Sequence, residues 1–305
     1  MAATDTAPAP SSPSKLKIFA RRLTSSIILW TVVIWALFYS QKIISNIVFL
    51  TVMMTLAGVG LLEFYHLVEK RGLVCFKEWG LIGGLLLMGS EFCYLAAGLG
   101  DVTRPSKAND FEMSFLILFV LGLCLRQFFS KSNTAGILAI STTLFGLMYV
   151  PWLLDFIQKI NFFPRVEGTY YVLYFILVTK FSDMGAYVTG SLIGKHKMIP
   201  RISPGKTWEG FGGAVVWSTG ASLIYAHYAQ AHMPAMNWMH ATILGVVLSV
   251  AAVVGDLIES LFKREAGVKD SGAFFPGIGG ILDLLDSLLF NAPLMYLYLR
   301  HVLTH

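Results

Sequence analysis

Residues 238–262 read WMHATILGVVLSVAAVVGDLIESLF, and this stretch decides the class of the fold. It is long enough to cross the hydrocarbon core of a bilayer, which takes about 20 mostly apolar residues of helix. The whole chain has the same character, because 55% of its 305 residues are hydrophobic and only 13% are charged. A soluble domain carries about 25% charged residues. The composition therefore excludes a soluble globule, a disordered protein and a nucleic-acid binder with a broad basic surface, and it indicates a membrane protein.

Eight other apolar stretches are candidate spans, although the boundaries of the first two are weak, and a helix is the form that satisfies its own backbone hydrogen bonds in lipid. We predict an all-α, polytopic helical bundle of nine transmembrane spans, near 25–40, 43–65, 79–99, 111–129, 135–157, 169–190, 209–230, 238–262 and 281–303. Residues 1–14 are rich in Ala, Pro, Ser and Thr, which predicts a disordered tail. We expect a single membrane domain, with N-terminal helices over 15–165 and the catalytic region over 166–305.

The basic residues predict the orientation of the chain. Lys and Arg precede the first span, and no small-residue cleavage site follows it, so we interpret that span as a retained helix rather than a signal peptide. With the N-terminus in the cytoplasm, most of the 23 Lys and Arg residues lie on the cytoplasmic side, as the positive-inside rule requires. This orientation places segments 191–208 and 263–280 on that same side. The scattered residues Cys75, Cys93 and Cys124 predict neither a disulfide framework nor a zinc site.

Acidic residues gather at the cytoplasmic ends of the last two spans. One polar stripe on an otherwise apolar helix is formed by Asp256, Glu259, Ser260 and Lys263, and Asp283 and Asp286 are one turn apart at the start of the last span. Carboxylates that face each other at a membrane surface repel unless cations lie between them. Mg²⁺ typically takes one or two carboxylates together with substrate phosphates. The pattern therefore predicts a magnesium site.

Two other charged features lie inside predicted spans. Lys180 and Asp183 are three residues apart on one helical face, where they could pair in the bundle interior, although an ion pair that only orients the helix would give the same pattern. Glu91 lies in the third span among Gly and Ser without an obvious partner, so we expect it to have a structural role.

The cytoplasmic segment 194–210, GKHKMIPRISPGKTWEG, offers basic side chains, the hydroxyls of Ser203 and Thr207, and small residues that let backbone N–H groups approach an anion. It is not a P-loop, because Pro200 stands where that motif requires a glycine. Segment 263–280, KREAGVKDSGAFFPGIGG, has a similar composition. Together with the carboxylates, these segments predict metal-assisted phosphoryl or nucleotidyl transfer onto a lipid-borne group.

Residues 260–287, SLFKREAGVKDSGAFFPGIGGILDLLDS, resemble the signature of the phosphatidate cytidylyltransferase (CDP-diacylglycerol synthase) family, and DMGAYVTG from Asp183 and RISPGKTWEG from Arg201 are similar to two further motifs of that family. The resemblance covers about residues 180–290. It implies condensation of CTP with phosphatidic acid to CDP-diacylglycerol and pyrophosphate, with Mg²⁺ and, as a further candidate ion, a monovalent cation. It also implies a homodimer in membrane lipid, and we expect a bacterial inner-membrane protein whose active site faces the cytoplasm.

The resemblance assigns roles residue by residue. The expected catalytic residues are Asp256, Lys269, Asp270, Asp283 and Asp286, and those expected to hold the metal are Asp256, Asp283 and Asp286. The residues expected to bind nucleotide or substrate are Asp183, Ser203, Pro204, Lys206, Thr207, Lys263 and Arg264. Among the cations, Lys269 is expected to be indispensable for the lipid phosphate.

Two positions depart from the family pattern, which has His at the position of Ile278 and Arg at that of Leu284. Three explanations compete: another residue such as His196 or Arg201 substitutes, the lipid acceptor differs, or the protein is an inactive copy. The retained acids and the Ser-Pro-Gly-Lys-Thr run favour an active enzyme. A transporter or a membrane regulatory protein, in which the acids form an ion path, is the alternative class, but it gives no reason for the Ser-Pro-Gly-Lys-Thr run.

Overall fold

The computed structural model describes residues 15–96, 106–130, 135–272, 274 and 279–304. The predicted disordered tail and Ile278 lie outside these ranges. Over the described ranges the helices are α1 (Lys15–Phe38), α2 (Lys42–Lys70), α3 (Lys77–Ala96), α4 (Ser106–Phe128), α5 (Gly136–Asn161), α6 (Gly168–Ile193), α7 (Trp208–Tyr228), α8 (Trp238–Glu265) and α9 (Ile281–Leu303).

Six of these helices are long and apolar enough to cross a membrane: α2, α3, α4 from Asp110, α5, α8 and α9. The prediction of an all-helical polytopic membrane protein is thereby confirmed. The number of nine spans stays a prediction, because the apolar part of α1 covers only Ile27–Phe38 and because α6 and α7 are not among the six.

A short β-hairpin lies between α6 and α7, where the sequence predicts only a loop. Strand β1 (Lys197–Ile199) pairs antiparallel with β2 (Ser203–Thr207), with Lys197 opposite Thr207 and Ile199 opposite Ser203. Pro204 and Gly205 stand within β2, and both residue types are disfavoured in strand interiors, which is why sequence patterning does not find it. The hairpin holds the Ser-Pro-Gly-Lys-Thr run in one conformation.

Helices α6 and α7 approach each other through glycines. A Cβ atom at Gly185 would lie 2.6 Å from Trp217 Cβ and 2.9 Å from the Gly213 carbonyl oxygen, and one at Gly213 would overlap Thr189. Small residues at such crossings let helix backbones pack closely in membranes. Thr207 ends the hairpin and caps α7, because its Oγ1 accepts a hydrogen bond from Gly210 N at 3.1 Å.

Helix α9 packs against α2, α5, α6 and α8, and its buried face includes Leu285, Leu289 and Ala292. A buried hydrogen bond from Asn291 Nδ2 to Thr179 Oγ1, at 2.6 Å, fixes α9 against α6.

The start of α9 contacts Glu63 in the last turns of α2, Lys180 in the middle of α6 and Lys263 near the end of α8. The hairpin lies at this same end of the bundle, where Lys206 pairs with Asp256.

A second group of charges is buried near the opposite end of the helices. Lys159 Nζ lies 2.5 Å from Glu112 Oε2 and 3.7 Å from Asp155 Oδ2, and the fully buried Glu91 has these three residues as its charged neighbours. The charged neighbours of Glu91 thus come from α4 and α5, which are distant from it in sequence. The structural role expected for Glu91 stays a prediction.

Candidate active site

Three carboxylates from α8 and α9 converge at the hairpin end of the bundle. Ligand oxygens of Asp256, Glu259 and Asp286 all lie within 4.8 Å of one another. The one-turn spacing of Asp256 and Glu259 places both on the face of α8 that meets α9. Glu259 is fully buried, and its Oε1 atom has no hydrogen-bond partner among the described residues. These carboxylate oxygens are hard donors, and one of them is buried without a hydrogen-bond partner among the described residues, so the group fits Mg²⁺.

Asp283, which is expected to hold the metal, lies next to this group, and its role as a ligand stays a prediction. Its Oδ1 atom pairs with Lys263 Nζ at 2.7 Å, and its Oδ2 atom accepts hydrogen bonds from Gly280 N at 2.8 Å and Ser271 N at 3.1 Å. Lys263 also pairs with Glu259. Within the described part of the chain, the group of three carboxylates therefore contains Glu259, whereas Asp283 is linked to it through Lys263.

Two lysines flank the carboxylates. Lys206 Nζ, from the hairpin, lies 2.9 Å from Asp256 Oδ2 and donates a hydrogen bond to the Val253 carbonyl oxygen at 3.1 Å. Lys180 Nζ lies 3.2 Å from Asp183 Oδ2, so these two side chains pair as the sequence suggested. Lys180 also donates to the Leu284 carbonyl oxygen at 3.2 Å. Each of these two lysines thus pairs with an aspartate at this end of the bundle.

A cavity of about 390 Å³ opens beside the hairpin, and we call it the polar cavity because charged and hydroxyl side chains stand among its apolar lining residues. Its size is in the range of small-molecule sites. Of the residues expected to bind nucleotide, it is lined by Asp183, Ser203, Lys206 and Thr207, and Asp256 also lines it. Pro204 is exposed and does not line the cavity.

A second, apolar cavity of about 490 Å³ lies between α1, α2, α5, α6 and α9. Among the described residues that line it, all are aliphatic or aromatic except Lys180, which is charged. Leu284 contributes a side chain to the same wall, so the residue that replaces the family Arg lies in apolar surroundings. Asp183 lines the polar cavity and Lys180 the apolar one, so their ion pair lies between the two cavities, and we call this place the junction.

Several of the expected site residues lie outside both cavities. Lys269 and Asp270 are exposed in the segment after α8. Arg264 is exposed and donates hydrogen bonds to the carbonyl oxygens of Ile202 and Val268, both at 3.2 Å, so it connects the hairpin to that segment. The assignment of these residues to catalysis or substrate binding stays a prediction.

The structure also brings to this region three residues that have no role in the predicted transfer reaction: Glu63, Lys180 and, as a metal ligand, Glu259. Glu63 Oε2 accepts hydrogen bonds from Leu282 N at 2.8 Å and from Ser271 Oγ at 3.1 Å. For Glu63 the sequence offers only an ionisable side chain within an apolar span, which is a functional candidate by default. Lys180 and Glu259 are also marked by their one-turn spacing from Asp183 and Asp256.

Comparison with known proteins gives consistent results. The model of the cytidylyltransferase family matches residues 20–302. The chain is 34% identical over 270 residues to a protein of Staphylococcus saprophyticus, an alignment that covers 85% of this chain and 97% of that protein. Proteins of Staphylococcus haemolyticus and Staphylococcus aureus are each 32% identical, covering 84% of this chain and 96% of theirs. All three are named phosphatidate cytidylyltransferase. The chain therefore belongs to the cytidylyltransferase family, as its motifs predicted.

Proposed function

We propose that this protein is a phosphatidate cytidylyltransferase, which transfers the cytidylyl group of CTP to phosphatidic acid and releases pyrophosphate. The observation that carries the proposal is the junction of the two cavities at the Lys180–Asp183 ion pair. A reaction between a water-soluble nucleotide and a lipid needs one polar and one apolar compartment that meet at the reacting phosphates.

The polar cavity is suited to the triphosphate of CTP. Lys206 supplies a positive charge, Ser203 a hydroxyl, and the N-terminus of α7 directs its partial positive charge toward the same space. Thr207 Oγ1 accepts the capping hydrogen bond from Gly210 N, so its contribution to an anion would come from the hydroxyl proton.

The apolar cavity is suited to an acyl chain of the lipid, with Lys180 at the position of the lipid phosphate. The lysine then supplies a cation beside Leu284, where the family pattern has an arginine, and His196 and Arg201 are not needed for that purpose. His196 Nδ1 instead lies 2.6 Å from Glu209 Oε1. This arrangement argues against an inactive copy.

The transfer itself follows from the placement of the two phosphates. An oxygen of the phosphatidate phosphate bonds to the α-phosphorus of CTP, the bond from that phosphorus to the bridging oxygen breaks, and pyrophosphate leaves. The side chains position the groups and stabilise charge, with Lys206 beside the nucleotide phosphates and Lys180 beside the lipid phosphate. Asp256, Glu259 and Asp286 would hold Mg²⁺, which, when bound, would neutralise charge on the phosphates. A monovalent cation is the further candidate ion.

The protein is an integral membrane protein by its apolar helices. We infer that it resides in a bacterial inner membrane, since the relatives are bacterial, and that its active site faces the cytoplasm, since the hairpin and the segment after α8 fall on the basic side. The homodimer rests on the family resemblance alone.

An acceptor panel tests the proposed function. The purified protein in lipid nanodiscs is incubated with CTP, Mg²⁺ and one acceptor lipid at a time. The acceptors are phosphatidic acid, lysophosphatidic acid, diacylglycerol and a polyprenyl phosphate, and the lipid products are identified by mass spectrometry. We expect CDP-diacylglycerol with phosphatidic acid and its loss in Asp256→Asn. A cytidylylated product from another acceptor only would refute phosphatidic acid as substrate, and no product from any acceptor would refute the enzyme.

A further inference from the structure

Glu63, in the N-terminal half of the chain, contacts described residues of the segment 260–287, which carries the family signature and is called the signature segment below. Its Oε2 atom accepts a hydrogen bond from Leu282 N, in the first turn of α9, at 2.8 Å, and another from Ser271 Oγ at 3.1 Å. The contact joins α2 to residues more than 200 positions away. It also satisfies a backbone N–H group that has no partner within its own helix.

The signature segment is shaped to accept this side chain. A Cβ atom at Gly272 would overlap Glu63 Oε1, and a Cβ atom at Gly280 would overlap both Glu63 Oε2 and Ser271 Oγ. Two glycines therefore leave the space that the carboxylate fills. This fit indicates that the Glu63 carboxylate has a defined position in the segment and does not merely touch a helix surface by chance.

A series of polar contacts connects the Glu63 carboxylate to the group of Asp256, Glu259 and Asp286. The Ser271 hydroxyl lies within hydrogen-bond distance of both Glu63 Oε2 and Asp283 Oδ2, at 3.1 and 3.0 Å, and its single proton serves one of them at a time. Asp283 pairs with Lys263 at 2.7 Å, and Lys263 pairs with Glu259. The first links join α2, the segment after α8, α9 and α8, and the last lies within α8, so a shift of Ser271 or of the start of α9 would be transmitted to Glu259.

We propose that Glu63 is a positioning residue for cytidylyl transfer: it fixes Ser271 and the first turn of α9, so that Asp283 and Lys263 hold Glu259 in place. The inference rests on the proposed function for its kinetic consequence, but the contact itself does not. Glu63 lines neither the polar nor the apolar cavity, and for this reason we assign it no direct contact with substrate.

Kinetics of three variants test the consequence. Glu63→Ala should lower kcat by about 10²-fold, because a displacement of roughly 1 Å in a catalytic constellation has that effect, while the KM for CTP changes by less than about threefold. Glu63→Gln should stay within about fivefold of the wild type, since its amide oxygen can accept the bond from Leu282 N. Glu69→Ala, on the same helix with an exposed partner, Lys77, at 3.2 Å, is the matched control and should be unaffected.

The outcomes separate positioning from plain stability. Wild-type kcat in Glu63→Ala, with or without a lower melting temperature, would overturn the inference, because a purely structural residue leaves the turnover of the folded fraction unchanged. Equal losses in Glu63→Gln and Glu63→Ala would also overturn it, since the negative charge and not the hydrogen-bond acceptor would then be responsible.

Hydrogen–deuterium exchange tests the contact between Glu63 and Leu282 N independently of the transfer reaction. The Leu282 amide should exchange at least about tenfold faster in Glu63→Ala than in the wild type or Glu63→Gln, while amides of the hairpin at 197–207 are unchanged. Unchanged exchange at Leu282 would overturn the inference. If the wild type had no transferase activity, the proposed function would fail, and the exchange result would still decide whether Glu63 holds α9.

Discussion

Replacing Lys180 with Met probes the junction of the two cavities. Met keeps an unbranched side chain of similar length, so the wall of the apolar cavity remains filled. The substitution removes the ammonium group that contacts Asp183 and the Leu284 carbonyl oxygen, both at 3.2 Å, and Asp183 keeps its hydrogen bond from Ser287 Oγ at 3.1 Å. The change is therefore confined to one charge.

The expected loss follows from the contact that this charge would make to the lipid phosphate. A hydrogen bond to a charged group contributes about 1.5–3 kcal/mol, which corresponds to roughly 10- to 10²-fold in kcat/KM for phosphatidic acid. Melting temperatures of the variant and the wild type, measured alongside, separate this loss from a change in stability.

The assay measures transfer from labelled CTP in mixed micelles, with phosphatidic acid varied as a mole fraction. Lys180→Met should lose kcat/KM for the lipid while the KM for CTP is retained, and the control Lys77→Met, which removes an exposed partner of Glu69, should behave as the wild type. The sequence alone predicts instead that Lys269→Ala abolishes transfer, so that variant belongs in the same series. Wild-type lipid kinetics in Lys180→Met would refute the reasoning from the cavities.

Four other predictions follow from the same geometry. Glu259→Gln should raise the Mg²⁺ concentration for half-maximal activity by at least about tenfold, and an unchanged Mg²⁺ titration would exclude Glu259 as a ligand. Asp283→Asn should lower turnover by orders of magnitude while the protein still inserts, because it removes the charge that pairs with Lys263 beside Glu259, and activity and membrane fractionation check this together. Lys206→Ala should weaken CTP binding much more than lipid binding, measured by calorimetry with each substrate alone. Burial raises the pKa of the Cys75 thiol to about 11. In a variant without the other two cysteines, alkylation of Cys75 at pH 8 should therefore be about 10²-fold slower than alkylation of an unperturbed thiol. An alkylation rate that levels off below pH 9 would contradict this.

Much of the fold could be predicted from the sequence because helices in lipid are determined by local composition. The predicted span near 238–262 corresponds to α8, and the almost continuous pair near 25–40 and 43–65 corresponds to α1 and α2, separated only by residues 39–41. The hairpin could not be predicted, since its strands are short and contain Pro204 and Gly205.

The candidate site was predictable where its residues share a helix. The one-turn spacing of Asp256 and Glu259 placed them on one face, and the i, i+3 spacing of Lys180 and Asp183 placed their ion pair. Contacts between helices could not be obtained in this way. That Glu63 contacts Leu282 depends on how α2 and α9 pack, which no spacing within either helix determines.

The most direct test of cytidylyl transfer at the junction of the two cavities is to follow the α-phosphate and the γ-phosphate of CTP separately. The protein is incubated with phosphatidic acid, Mg²⁺ and CTP labelled with ³²P at either the α or the γ position, and lipid and aqueous phases are counted separately. Cytidylyl transfer predicts that the α label enters the lipid phase and that the γ label appears in equal amount as pyrophosphate. Entry of the γ label into lipid would show phosphoryl transfer instead, and absence of both labels from lipid would contradict a reaction at the junction of the two cavities.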